Sequence, residues 1–336
     1  MKRILLIGTG GTIACEKGNH GLAPSLTAKG LLSYAGEVGD ICHIDTEQIL
    51  NIDSTNMQPE YWLRIVEHIE TAYNRYDGFV ITHGTDTLAY TSAALFYMIQ
   101  NSRKPIVITG AQRPISISET DAKRNLVDAI RFSCQGIGGV FVVFDGKVIN
   151  GSRAEKLRTK SYNAFESINY PVLATIEGEK VLYNQQAAVI RGSGRPRFFK
   201  SLCTDIFLLK LIPGIEPGIL DYLSTMYAAI IIESYGSGGI PIEGKRNFLS
   251  KIEELTAKGK IIVITTQVLL EGSDLTLYEV GQKALKNPVI PAYDMSTEAI
   301  VTKLMWVLGQ TKDRKRVKKI FLTPINGDLV IEDAKK

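Results

Sequence analysis

The sequence predicts an α/β protein of two domains: a larger N-terminal flavodoxin-like parallel sheet flanked by helices, and a smaller C-terminal α/β domain. Three observations predict it. Short runs rich in Ile and Val recur along the 336 residues, each bounded by Gly, Asp or Pro. Stretches with helical spacing of apolar residues separate those runs, the alternation expected of a parallel sheet with helices on both faces and right-handed crossovers. The series breaks once, at an irregular stretch from 181 to 204, and then resumes on a smaller scale.

In chain order the first strands are expected at Ile4–Ile7, Ile41–Ile44, Gly78–Thr82, Pro105–Thr109 and Gly139–Phe144. Between the second and third, Trp62, Ile65, Val66, Ile69 and Tyr73 recur at helical spacing, so 59 to 76 reads as a helix with Pro59 in its first turn. These elements assign residues 1–180 to the larger domain. Residues 181–204, centred on Arg191-Gly192-Ser193-Gly194-Arg195-Pro196-Arg197, read as a linker. The smaller domain, 205–336, takes strands at Asp205–Leu211, Tyr227–Ile232, Lys260–Thr265 and Val289–Ile290, with helices at Lys245–Ala257 and Thr297–Leu308. Ligands of such sheets bind beyond the carboxyl ends of the strands, where the strand order reverses. In a flavodoxin-like order the first and third strands are neighbours there.

Composition narrows the partners. A 45% hydrophobic content over this length supports real cores. The net charge of +4, from 39 basic and 35 acidic residues, is too mild to imply nucleic acid, so a small molecule is the expected partner. Met1-Lys2-Arg3 leads straight into a short apolar run that does not make a signal peptide. No apolar stretch nears the roughly 20 residues of a membrane-spanning helix. A soluble, cytoplasmic protein without membrane association is therefore expected. Cys15, Cys42, Cys134 and Cys203 are far apart and form no C-x-x-C pair, so neither a disulfide framework nor a metal site is expected, and no cofactor is implied. Cys15 lies close enough to the first motif to be expected within reach of alkylating reagents. The basic run Lys312 to Lys319 reads as the solvated face of a helix.

The chemistry concentrates in two threonine-centred turns. Gly8-Thr9-Gly10-Gly11-Thr12-Ile13-Ala14 and His83-Gly84-Thr85-Asp86-Thr87 each follow a strand directly. A strand ending in glycines and a hydroxyl residue points a side-chain nucleophile out of the sheet edge, with backbone N–H groups exposed to an anion. The first turn is not a dinucleotide fingerprint, because Ile13 stands where G-x-G-x-x-G needs its third glycine, and the phosphate-loop pattern is absent. The second, taken singly, is also what a helix cap looks like. A capping role supplies no reason for both turns to sit at neighbouring strand ends.

These two segments closely resemble the signatures of the bacterial-type L-asparaginase family. The resemblance continues through Asp53-Ser54-Thr55-Asn56-Met57, Thr109-Gly110-Ala111-Gln112-Arg113-Pro114, Gly151-Ser152-Arg153-Ala154-Glu155-Lys156 and Asn163-Ala164-Phe165-Glu166-Ser167. It extends to Ser234-Tyr235-Gly236, Thr266-Gln267 and Asp294-Met295-Ser296-Thr297-Glu298-Ala299. It is greatest to the cytoplasmic type I branch. The resemblance implies hydrolysis of the side-chain amide of L-asparagine to L-aspartate and ammonia through a threonine nucleophile and an acyl-enzyme. A weaker glutaminase activity is compatible with it, since one methylene discriminates by only about 1–3 kcal/mol. By likeness Thr12 is the nucleophile, and Thr85, Asp86 and Lys156 form a second constellation in which Lys156, held by Asp86, takes the proton of Thr85. Ser54 is implied to bind the substrate carboxylate and Asp86 its ammonium, with Asp53 and Thr55 as neighbours. Ala111 is implied to line the pocket through its backbone, and the N–H groups of Thr12 and Thr85 to hold the oxyanion. His83 takes a structural role, and His20, His43 and His68 lie outside the motifs. A homodimer or dimer of dimers is the expected assembly.

Two departures stand out. Many relatives carry tyrosine where this chain has Leu22, on a loop from Cys15 to Leu26 that reads as a lid, and Tyr278 resembles a position able to supply the missing orienting hydroxyl. Glu233 stands where some type I members use an arginine for an allosteric effector, so simple hyperbolic kinetics is expected. The alternatives are the asparaginase-like component of a glutamyl-tRNA amidotransferase, whose extra N-terminal domain would have to precede Thr12, and a small-molecule sensor on a degenerate enzyme fold.

Overall fold

A computed structural model describes residues 1–18, 21–36, 38–187 and 194–331. The chain divides into two units, Met1–Lys200 and Ser201–Lys336.

The first unit is built on β1 (Arg3–Gly10), β2 (His43–Ile52), β3 (Gly78–Thr82), β4 (Pro105–Thr109) and β5 (Gly139–Phe144), followed by β6 (Lys147–Asn150), β7 (Ala174–Glu177) and β8 (Lys180–Tyr183). Their order across the sheet is β2-β1-β3-β4-β5-β6-β7-β8. The first five are parallel, in the expected flavodoxin-like order, and the last three extend the sheet antiparallel. Strands buried on both faces lose any reason to alternate, which is why β1, β3 and β4 are nearly unbroken apolar runs, Ile4–Ile7 being fully buried.

The helix Pro59–Ala72 turns Trp62, Ile65, Val66, Ile69 and Ala72 inward, and the expected last turn tightens into a 3₁₀ segment, Tyr73–Arg75. Helix Leu88–Met98, which follows the second threonine turn, is buried almost all round. Helix Ala122–Ser133 packs Leu126, Ala129, Ile130 and Phe132 against the sheet core.

Two expectations shift. The second strand runs from His43 to Ile52 rather than Ile41 to Ile44, because it is the sheet edge and its partly exposed sequence carries polar residues between its apolar ones. The stretch read as irregular contributes β8, and Arg197–Phe198 pairs antiparallel with Ile99–Gln100 of the same unit. Residues 188–193, with Arg191-Gly192-Ser193, lie outside the described residues.

In the second unit four parallel strands stand in chain order: Ile206–Lys210, Ala229–Ser234, Ile261–Thr266 and Ile290–Pro291. Helix Phe248–Ala257 begins three residues later than read, where Asn247 caps the N–H of Ser250, and helix Thr297–Gln310 is capped by Ser296 on Ala299. The basic run forms helix Arg314–Phe321, which buries Val317 and Phe321 and leaves its basic residues outward or at the boundary. A fully buried ion pair, Lys303 Nζ to Asp328 Oδ2 at 2.6 Å, fastens the segment around Asp328 to helix Thr297–Gln310. Among the described residues no helix is long and apolar enough to cross a membrane.

Candidate functional site

Three strand ends converge where the order reverses. After β1, Gly11 takes φ 82° and ψ 175°, a conformation that favours glycine, and its N–H reaches Ile52 O at the end of β2 at 2.9 Å. A methyl group on Gly11 would lie 2.2 Å from the Gly84 nitrogen, and one on Gly84 would lie 2.6 Å from both Cβ and Oγ of Ser54. The turns after β1, β2 and β3 thus touch through atoms that only glycine permits. Thr12 opens the short 3₁₀ turn Thr12–Ala14 at this junction and is half-buried. The loop after β4 closes on it, with Ile115 N–H donating to Ile13 O at 3.2 Å.

Around the second turn, Lys156 Nζ donates to Thr85 Oγ1 at 2.7 Å and meets Asp86 Oδ1 at 2.6 Å. Lys156 arrives on a two-stranded ribbon, Ala154–Lys156 against Phe165–Ser167, which aims a mostly buried lysine at a partly exposed aspartate. Ser54 Oγ accepts from the Asp86 N–H at 3.2 Å, and Thr87 Oγ1 donates to Ser54 O at 2.7 Å. Asp53 Oδ1 accepts from both the N–H and the hydroxyl of Thr55, at 2.8 Å each. Ala111 is fully buried.

His83, fully buried, holds the second turn from behind. Burial drives its imidazole pKa down to about 4, the Gly84 carbonyl opposing weakly, so it is neutral. Nδ1 lies 2.7 Å from Gly84 O and must carry the hydrogen; Nε2 then accepts from Thr91 Oγ1 at 2.9 Å, and Thr91 in turn accepts from Trp62 Nε1 at 3.0 Å. A polar chain thus runs from the helix Pro59–Ala72 to the backbone of the threonine turn.

Gln112 lies within one of the resembling segments, but no role for it is legible in the sequence. In the fold its Oε1 accepts from Thr85 Oγ1 at 3.3 Å, while its Nε2 donates to Arg158 O at 3.2 Å and Ser161 O at 3.1 Å. Its own N–H and that of Arg113 end on the Asp121 carboxylate at 2.9 and 3.1 Å. No spacing rule reveals such a bridge, since its partners come from a loop that follows the lysine ribbon.

Tyr278 belongs to the second unit and is 66% exposed, unlike a core tyrosine. Glu233, in the same unit, is buried and accepts from Thr297 Oγ1 at 2.8 Å. The loop read as a lid is a ribbon of Cys15–Gly18 against Gly21–Pro24; Asn19, His20 and the side chain of Leu22 lie outside the described residues. Cys15 is buried, not open to reagents, with its thiol on Gly11 O at 3.5 Å and its pKa raised by burial and by the charge of Asp53. Among the described residues no group of three or more His, Cys, Asp and Glu side chains could hold a metal ion.

Residues 3–189 match the family described as asparaginase, N-terminal, and residues 205–321 the glutaminase/asparaginase C-terminal domain. The chain is 44% identical to an L-asparaginase of Thermococcus kodakarensis over 97% of its length and 99% of the relative's. The solved structure of the thermostable L-asparaginase from that organism superposes with a TM-score of 0.93 over 98% of this chain and 99% of that one. L-asparaginase I from Vibrio cholerae superposes with a TM-score of 0.87 at 27% identity, over 98% and 99% of the two chains. A component of the glutamyl-tRNA(Gln) amidotransferase of Pyrococcus abyssi is 33% identical over 98% of this chain and 77% of its own.

Proposed function

The chain belongs to the asparaginase family, and from that premise we propose that it hydrolyses the side-chain amide of L-asparagine to L-aspartate and ammonia, with Thr12 as nucleophile. The observation that supports the reading is the Gly11–Gly84 contact, which joins the turn that carries Thr12 to the turn whose Thr85 is bonded to a lysine-aspartate pair. Thr12 Oγ1 attacks the amide carbon, and the N–H groups of the two turns stabilise the oxyanion. Collapse breaks the C–N bond, the hydroxyl proton of Thr12 going to the departing nitrogen so that ammonia leaves, and water then hydrolyses the acyl ester and returns a proton to Thr12 Oγ1. Lys156 donates to both Thr85 and Asp86 in the resting site, which lines its Nζ up to exchange a proton with Thr85 Oγ1. Ser54 Oγ accepts from Asp86 N, which leaves its own hydrogen to donate to a substrate carboxylate. Asp86, partly exposed, faces the substrate ammonium with the acceptor capacity that Lys156 does not use. A slower glutaminase reaction, a cytoplasmic location and a homodimer or dimer of dimers complete the proposal.

A second reading, delivery of ammonia to a partner, draws support from the 33% identity to the amidotransferase component. Ammonia release from L-asparagine and L-glutamine by the purified chain and its Thr12→Ala variant tests both. Release from asparagine that disappears in the variant supports the proposal. A folded wild type that releases none without a partner overturns it in favour of the second reading.

A further inference from the structure

We propose that Gln112 is a positioning residue of this site: its side-chain carbonyl fixes the direction of the Thr85 hydroxyl hydrogen, so that Thr85 Oγ1 presents a lone pair to Lys156. The inference rests on the amidohydrolase reading above and deepens it.

The orientation of the Gln112 amide is determined by its surroundings. Both of its N–H hydrogens go to backbone carbonyls, of Arg158 and Ser161. Turned over, the group would face its carbonyl oxygen against two others. Oε1 therefore points to Thr85, and a carbonyl oxygen can only accept. The Lys156 ammonium can only donate, so Thr85 Oγ1 accepts from it at 2.7 Å and gives its single hydrogen to Gln112. Every bond of the Thr85 hydroxyl is thus assigned, and its rotor has one resting setting.

The same amide ties the loop directly after Lys156 to the turn that carries Thr85. Its backbone is held in turn by Asp121, itself bonded to Asn125 Nδ2 at 3.2 Å. Such support from outside the reacting groups is what keeps a site within the few tenths of an ångström that turnover requires. When Lys156 is neutral, the hydrogen swings from Gln112 to the amine. The bond it leaves is long at 3.3 Å, so release is easy. Gln112 parks the proton without trapping it.

Gln112→Met keeps the length of the side chain and removes both the carbonyl and the tether. We expect kcat on asparagine to fall about tenfold or more with KM within about threefold and a melting temperature within a few degrees of wild type. Gln112→Glu keeps an acceptor for Thr85 in either form but can donate toward Arg158 O or Ser161 O only while its carboxyl is neutral, so its kcat/KM profile should gain an ionisation between about pH 5 and 7 that wild type and Gln112→Met lack. A Gln112→Met enzyme within twofold of wild type, a Glu profile that superimposes on wild type, or a loss of kcat matched by a large fall in melting temperature would each overturn the proposal. NMR separates its failure from that of the proposed function. The side-chain amide hydrogens of Gln112, identified by their loss in Gln112→Met, should exchange slowly with solvent and move in Thr85→Val even if no ammonia is released. Fast exchange and no movement would refute the positioning role whatever the activity.

Discussion

Acidification should cost the first unit stability at its buried histidine, His83. Its imidazole has a pKa of about 4 in the fold against an ordinary 6.5, because burial excludes the charged form. A base with a depressed folded pKa lends stability that is complete above the unfolded value and is lost as pH falls from 6.5 toward 4. The gap corresponds to about 3 kcal/mol at about 1.4 kcal/mol per pH unit. The test compares urea unfolding of wild type and His83→Asn between pH 4 and 7.5, read by Trp62 fluorescence in a Trp306→Phe background. Asn keeps an N–H for Gly84 O, loses the acceptor for Thr91, and does not titrate. At pH 7.5 the variant should be less stable by about 1–3 kcal/mol, for the lost hydrogen bond and volume. Toward pH 4 that deficit should shrink by about 3 kcal/mol, to zero or past it. A deficit constant across the range, or an imidazole seen by NMR to titrate above pH 5.5, would refute the reasoning.

Asp128 should behave in the opposite sense: burial raises its carboxyl to about 6 despite Arg124, so the stability it lends is present below 3.8 and is lost as pH rises through 6. Asp128→Asn should then stabilise the protein by up to about 3 kcal/mol at pH 8 and change little at pH 4; a variant less stable than wild type at pH 8 in urea unfolding contradicts this. Gly11→Ala, forced to a φ of 82° and to 2.2 Å from the Gly84 nitrogen, should cost about 2 kcal/mol or more of stability and over about 100-fold in ammonia release. Activity within tenfold would mean that the contact between the turns is dispensable. Iodoacetamide should modify Cys134 before Cys15, since the hydrogen bond from Cys42 lowers the Cys134 pKa while burial and Asp53 raise that of Cys15. Peptide mass spectrometry that finds Cys15 labelled first would reverse the ordering.

What could be read from the sequence followed from how strongly each position is constrained. β1, β3, β4 and β5 are covered on both faces, so their apolar runs are continuous and their bounds lie close to those read. β2, β7 and β8 lie at or near the sheet edges, where polar residues dilute the signal: β2 emerged displaced, and the other two passed unseen. The threonine turns were visible because backbone contact between them demands glycine at Gly11 and Gly84. The bridge through Gln112 and the burial of Lys303 with Asp328 were not, since a polar residue reads as surface until the fold supplies its partner.

The contact of Gly11, Ser54 and Gly84 also carries a consequence for folding. These residues lie far apart along the chain, on three strands that must all be registered before the turns can meet. Loop closures of that length are slow and precede any reward from the contact itself. The site is then a late product of folding, absent from any intermediate that has paired β1 with β2 but not yet docked β3. During refolding, ammonia release should lag behind the recovery of secondary structure, and the return of catalysis becomes a clock for the closing of the sheet.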